Sequence, residues 1–155
     1  YQTEQRTPPA NQPFLVIDEM RQVMGVTPDV LSRLAPYIIA LPNDTGLNLN
    51  TVSEPVLRSL GDWMNPDIAA KLIAKQKMQP FENQSSIYLE LQRLGIPDDT
   101  LSQLKGYYPL TSNTQYFLLN AVAEYNHHSW VMNSLLKRDT GRVVTMGRWL
   151  TDHVN

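Results

Sequence analysis

Two apolar periods divide this chain, and one gives way to the other near Tyr107. Before that point apolar residues recur at three- and four-residue spacing behind Asn, Asp, Ser, Thr and Pro, as in short capped helices. After it, β-branched and aromatic residues gather in strand-length runs. Helices first and strands last predict an α+β fold.

Five or six short helices fit the first part. Thr27-Pro28 is an N-cap with a first-turn proline, followed on one face by Val30, Leu31, Leu34 and Ile38. Ser53 starts a helix bearing Val56, Leu57, Leu60, Trp63 and Met64, a stripe that predicts a buried Trp63. Asn65-Pro66 opens another, burying Ala69, Leu72 and Ile73 and turning Lys71, Lys75 and Lys77 outward. A Ser85-Ser86 cap precedes Ile87, Leu91 and Leu94, and Asp98 caps a last helix with Leu101 and Leu104.

A repeat is visible at an offset of 70 residues, where Gly25 to Tyr37 lies ungapped over Gly95 to Tyr107. The identities are Gly25/Gly95, Asp29/Asp99, Leu31/Leu101, Ser32/Ser102, Leu34/Leu104 and Tyr37/Tyr107. Composition gives roughly one chance identity in such a window, so the matches point to one helical corner used twice. Shared capping chemistry is the plainer alternative.

Three antiparallel runs close the chain: Tyr116 to Tyr125, Trp130 to Lys137 and Arg142 to Leu150. Asn126-His127-His128 and Asp139-Thr140-Gly141 join them, Gly141 supplying a positive φ, and Gly147 marks a bulge. Three strands cannot hide both faces of a sheet, so Leu118, Val122 and Val131 are expected to lack a full partner.

Composition narrows the chemistry. A formal charge of -2 gives no broad attraction for polyanions, and the absence of cysteine excludes disulfides, thiolate metal sites and a cysteine nucleophile. The longest apolar runs, such as Tyr37 to Leu41, fall far short of the ~20 residues that span a bilayer. Tyr1 to Pro13 reads as an extended lead-in, as in a piece of a longer protein. No Gly-x-Ser-x-Gly elbow, His-Glu-x-x-His pair or phosphate loop occurs, so the chain reads as a non-enzyme. His127 and His128 point oppositely on an extended backbone and read as turn polarity, and His153 lies in a tail. Asn43-Asp44 and Asp98-Asp99 lack the ligand spacing of a calcium loop.

The most specific stretch is Leu47-Asn48-Leu49-Asn50-Thr51-Val52-Ser53-Glu54-Pro55, an alternating extended entry into a helix. It resembles two families. Helix-hairpin-helix DNA-uptake proteins open similarly, but they hold phosphate on a Gly-x-Gly turn, whereas the link here is Trp63-Met64-Asn65-Pro66-Asp67. The other is the minor pseudopilins of the type II secretion system, general secretion pathway protein K. That resemblance extends over Asn11-Gln12-Pro13-Phe14, Glu19-Met20-Arg21, Gly25, Tyr37, Ala40-Leu41-Pro42, Asn48 to Thr51, Pro80-Phe81, Ser112 to Phe117 and Leu135 to Gly141.

The resemblance implies two SAM-like or helix-hairpin-helix-like helical units followed by antiparallel strands of a pilin-like domain. Residues 1–45 would close the first unit behind a flexible lead-in, 46–109 would form the second, and 110–155 the strands. Asn48, Asn50, Thr51, Tyr116 and Phe117 are the implied structural signature, with no catalytic or cofactor residue. Calcium is implied for the family without ligands assigned here. Implied partners are minor pseudopilins I and J at the tip of a periplasmic fibre that exports folded proteins across the outer membrane. Nucleic acid is not among them, and an inner-membrane anchor would be an N-terminal helix missing from this piece. The alternative is a helix-hairpin-helix DNA-binding module of a competence system.

Overall fold

The computed structural model describes residues 12–41, 45–107, 109–126 and 128–152. The chain divides into two compact units, residues 1–44 and 45–155. The fold is α+β, as expected.

The first unit holds a 3-10 segment Ile17–Gln22, helix α1 (Pro28–Leu34) and a 3-10 turn Ala35–Tyr37. Thr27 Oγ1 accepts from the Val30 N–H at 3.2 Å, so the cap read from the sequence forms. Packing is thin. Leu31 is buried, while Leu15, Met24, Leu34 and Tyr37 are exposed.

The second unit opens with β1 (Leu47–Asn48) and helices α2 (Glu54–Arg58), α3 (Pro66–Met78), α4 (Gln84–Arg93) and α5 (Asp98–Tyr107). Strand β2 (Leu110–Thr111) pairs in parallel with β1, a ladder that the sequence reading missed because each strand is two residues long. Gly46 makes it possible: a Cβ there would collide with Thr111 Cγ2 and the Pro109 carbonyl. The core gathers Leu57, Leu72, Ile87, Leu91 and Leu110, all fully enclosed. Each such side chain contributes about 1.5–3 kcal/mol on burial.

Local chemistry explains most boundaries. Asn65 Oδ1 accepts from the Ile68 N–H at 3.0 Å, and Pro66 supplies the first turn of α3. Helix α4 is capped two residues earlier than expected: Asn83 and Ser86 form a reciprocal capping box, so Ser85 and Ser86 lie inside the helix. The second helix is shorter than its apolar stripe predicts. It ends at Arg58, and Gly61, at φ +142°, turns the chain so that Met64 is buried while Trp63 is only half-buried. The Trp63 indole lies directly over Gly61.

The repeat has a structural counterpart. Gly25 and Gly95 adopt φ of +90° and +86°, each followed by an apolar residue and a helix. The surroundings differ: Leu34 is 36% exposed, whereas its counterpart Leu104 is 3% exposed.

Strands β3 (Tyr116–Tyr125), β4 (His128–Asp139) and β5 (Arg142–Asp152) form an antiparallel sheet in the order β3-β4-β5. Gly141, at φ +79°, closes the second hairpin, and Asn126, at φ +48°, follows β3 at the first. A register shift beside Leu135 and Leu136 leaves Met146 as the extra residue next to Gly147, where the bulge was expected.

Candidate functional site

The alternation of Leu47 to Val52 decides what its asparagines do. Leu49 and Val52 enter the core, which turns Asn48 and Asn50 towards neighbouring loops. Asn48 Oδ1 accepts from the Asn50 N–H at 2.9 Å, and its carbonyl accepts from the Thr51 and Val52 N–H groups at 3.3 and 3.1 Å. Asn48 Nδ2 donates to Thr114 Oγ1 at 2.7 Å.

Asn50 reaches further. Its Oδ1 accepts from the Phe81 N–H at 2.7 Å, while Nδ2 donates to the Phe81 and Ser112 carbonyls, both at 2.8 Å. A carboxamide offers two donors and an acceptor, and all three are used here. Three chain segments, at residues 48–50, 81 and 112–114, therefore meet on two side chains. Gln84 Nε2 to the Leu110 carbonyl (3.0 Å) and Ser112 Oγ to the Glu82 carbonyl (3.2 Å) close the junction from the other side.

The junction continues into the sheet through Thr114. Arg138 Nη2 donates to the Thr114 carbonyl at 2.9 Å, and the Arg138 N–H to the Gln115 carbonyl at 2.7 Å. Tyr116 is buried with Lys137 Nζ 5.5 Å from its ring centre, and Phe117, on the opposite face, is exposed beneath the Arg138 guanidinium. Asn48 and Asn50 are thus brought together with the start of β3. Thr51 contributes its N–H and has an exposed side chain, and Phe117 stands apart from the network. Sequence reasoning missed Gln84 and Arg138, whose partners are main-chain groups that leave no pattern in side-chain identity, and Thr114, whose side-chain partner Asn48 lies 66 positions away.

Both faces of the sheet are apolar. One carries Leu118, Val122, Val131, Val144 and Trp149; the other carries Phe117, Leu119, Trp130, Met132, Val143 and Leu150. Leu118 and Val122 are exposed as expected, but Val131, on the central strand opposite Val122, is buried. Asn120 and Asn133 bond to each other across the strands in the middle of the first face.

Little else suggests chemistry. Among the described residues no group of three or more His, Asp or Glu side chains is placed to hold a metal ion. The His128 ring lies 6.0 Å from that of Trp130, Asp98 accepts from Gln92 Nε2 at 3.1 Å, and His127, His153 and Asn43-Asp44 lie outside the described residues. Among the described residues no helix is long and apolar enough to cross a membrane. Burial raises the Tyr88 hydroxyl above its ordinary value, opposed by the Leu110 backbone, and the Lys105 ammonium sits 4.7 Å from its ring centre.

Residues 47–106 match the profile of the family described as type II secretion system protein K, and residues 1–43 match a second profile of the same description. Protein K of Pseudomonas aeruginosa is 27% identical over 140 residues, 90% of this chain and 39% of that protein. Protein K of Aeromonas hydrophila is 52% identical over 50 residues, 30% of this chain and 15% of the relative. Among solved structures, the crystal structure of the GspK–GspI–GspJ complex from the enterotoxigenic Escherichia coli type 2 secretion system contains a chain of like fold. The TM-score is 0.69 at 22% identity, with 93% of this chain and 50% of that one covered.

Fold and profiles together define a component of the type II secretion apparatus, of the pseudopilin class. Within it, the chain belongs to the protein K family. It spans two fifths or less of the length of these curated relatives.

Proposed function

We propose that this chain is part of a minor pseudopilin that assembles with minor pseudopilins I and J at the tip of the periplasmic pseudopilus and starts the fibre that exports folded proteins. The observation that carries this reading is the sheet: large apolar side chains are exposed on both of its faces, in a family of secretion components. Apolar surface of this extent marks an association site rather than a solvated exterior. The whole protein would be held in the inner membrane by an N-terminal helix, with this portion in the periplasm.

In this reading residues 1–45, 46–109 and 110–155 act as the end of one helical unit, a second helical unit and the strands of a pilin-like domain. Asn48, Asn50, Thr51, Tyr116 and Phe117 are its structural signature, Asn48 and Asn50 by tying the helices to the root of β3. The role is scaffolding, without catalysis. The DNA-binding alternative gains no support from these relatives, and in the Trp63 to Asp67 link the Asn65 side chain is already engaged by the Ile68 N–H.

The test mixes the complete periplasmic part of the protein with those of I and J. Size-exclusion chromatography with light scattering should give a ternary complex. Independent migration of all three well above ~10 μM, where weak complexes are populated, overturns the role.

A further inference from the structure

The connector between β2 and β3 is Ser112 to Gln115, which belongs to no helix or strand. An irregular segment carries two soft dihedrals per residue and would let the helices and the sheet swing against each other. Here each of its carbonyls is engaged. Asn50 Nδ2 donates to that of Ser112 at 2.8 Å and Thr111 Oγ1 to that of Asn113 at 2.8 Å. Arg138 Nη2 donates to that of Thr114 at 2.9 Å, and the Arg138 N–H to that of Gln115 at 2.7 Å.

The donors change sides within the connector. Asn50, between β1 and α2, and Thr111, on β2, belong to the helical part, whereas Arg138 belongs to β4. The change falls at Thr114, whose hydroxyl accepts from Asn48 Nδ2 at 2.7 Å. With the preceding peptide held by Thr111, that bond fixes the Thr114 Cβ against the helical part and therefore its φ. The Arg138 guanidinium holds the peptide that follows. Between the two holds lies a single rotatable bond, Cα–C of Thr114, whose range backbone sterics already limit.

We propose that Thr114 is a locked joint, at which Asn48 and Arg138 set the orientation of the β3–β5 sheet against the helices so that the two move as one body. Among the described residues the core cluster built by the helices takes in nothing after Leu110, so this orientation rests on the hydrogen bonds of the connector. Those bonds offset the conformational entropy of an ordered connector, and they touch no core side chain. Loss of one should therefore loosen the orientation without unfolding either part. A partner seated on the sheet would thereby orient the helices too, whichever partner it is. The proposal does not depend on the role suggested above.

The chain has no cysteine, so spin labels can be introduced singly. Lys71→Cys on α3 is combined with Glu124→Cys on β3 and, separately, with Thr145→Cys on β5, all exposed positions. Two pairs are needed because a rotation can leave one distance unchanged. Pulsed electron paramagnetic resonance should give one narrow distance for each pair in the parent chain. Thr114→Val, which removes the acceptor for Asn48, and Arg138→Ala should each broaden at least one distribution, with circular dichroism and melting temperature close to the parent. Thr114→Ser keeps the hydroxyl and should keep the distances narrow. Broad distances in the parent overturn the proposal. So do Val and Ala variants as narrow as the parent, or a Thr114→Ser variant as broad as Thr114→Val.

Discussion

The Asn50 carboxamide bonds both main-chain groups of Phe81, accepting from its N–H at 2.7 Å and donating to its carbonyl at 2.8 Å. One side chain thereby takes the place of a paired strand residue. The segment leading into α4 is fixed to the entry of α2 across 31 positions of sequence.

Asn50→Asp keeps the acceptor for Phe81 but turns both donated bonds into carboxylate–carbonyl repulsion with Phe81 and Ser112. Asn50→Ala leaves all three main-chain groups without that partner. Each variant is expected to cost about 2–4 kcal/mol in urea unfolding. Asp should be no better than Ala, and a neutral Asp variant would show that the donated bonds contribute nothing.

Leu57 and Trp63 belong to one apolar stripe in the sequence and to different environments in the fold. Leu57→Ala, at a fully enclosed position, should lower stability by about 2–5 kcal/mol. Trp63→Ala, half-buried over Gly61, should cost less than the ~3–5 kcal/mol of an enclosed aromatic. Thermal melts of the two variants compare them directly; an equal or larger loss at Trp63 would mean a tighter enclosure.

The repeated helical corner is packed in one unit and open in the other. Leu104→Ala should cost about 2–5 kcal/mol, and Leu34→Ala, with over a third of its surface in solvent, less than half as much. Chemical denaturation measures both. Equal losses would show that the two positions are equally supported in solution.

Tyr88 gives the helical core a pH dependence. Its pKa is raised above 10.0 by burial, so the folded state favours the neutral phenol. That contribution is complete below pH ~10 and is lost as the pH rises through the higher folded value. Stability should therefore fall more steeply in that range for the parent chain than for Tyr88→Phe. Superimposable profiles of melting temperature against pH would remove Tyr88 as the cause.

The sequence by itself determined the order of helices and strands, because apolar period, N-caps and positive-φ glycines act over a few residues. Thr27, Asn65 and Gly141 do in the structure what their local chemistry dictates. It also marked Asn48 and Asn50 by an unusual alternation, without saying what they bind. Only the tertiary structure decided that they bridge to Phe81, Ser112 and Thr114, since main-chain partners 31 and 62 positions away carry no side-chain pattern and a lone hydroxyl 66 positions away stands out no better. It decided too that Gly61 ends the Leu57 stripe early and that Asn83 displaces Ser85-Ser86 as a cap. In each case several local solutions were open, and burial of Met64, Ile87 and Tyr88 in one core selected among them.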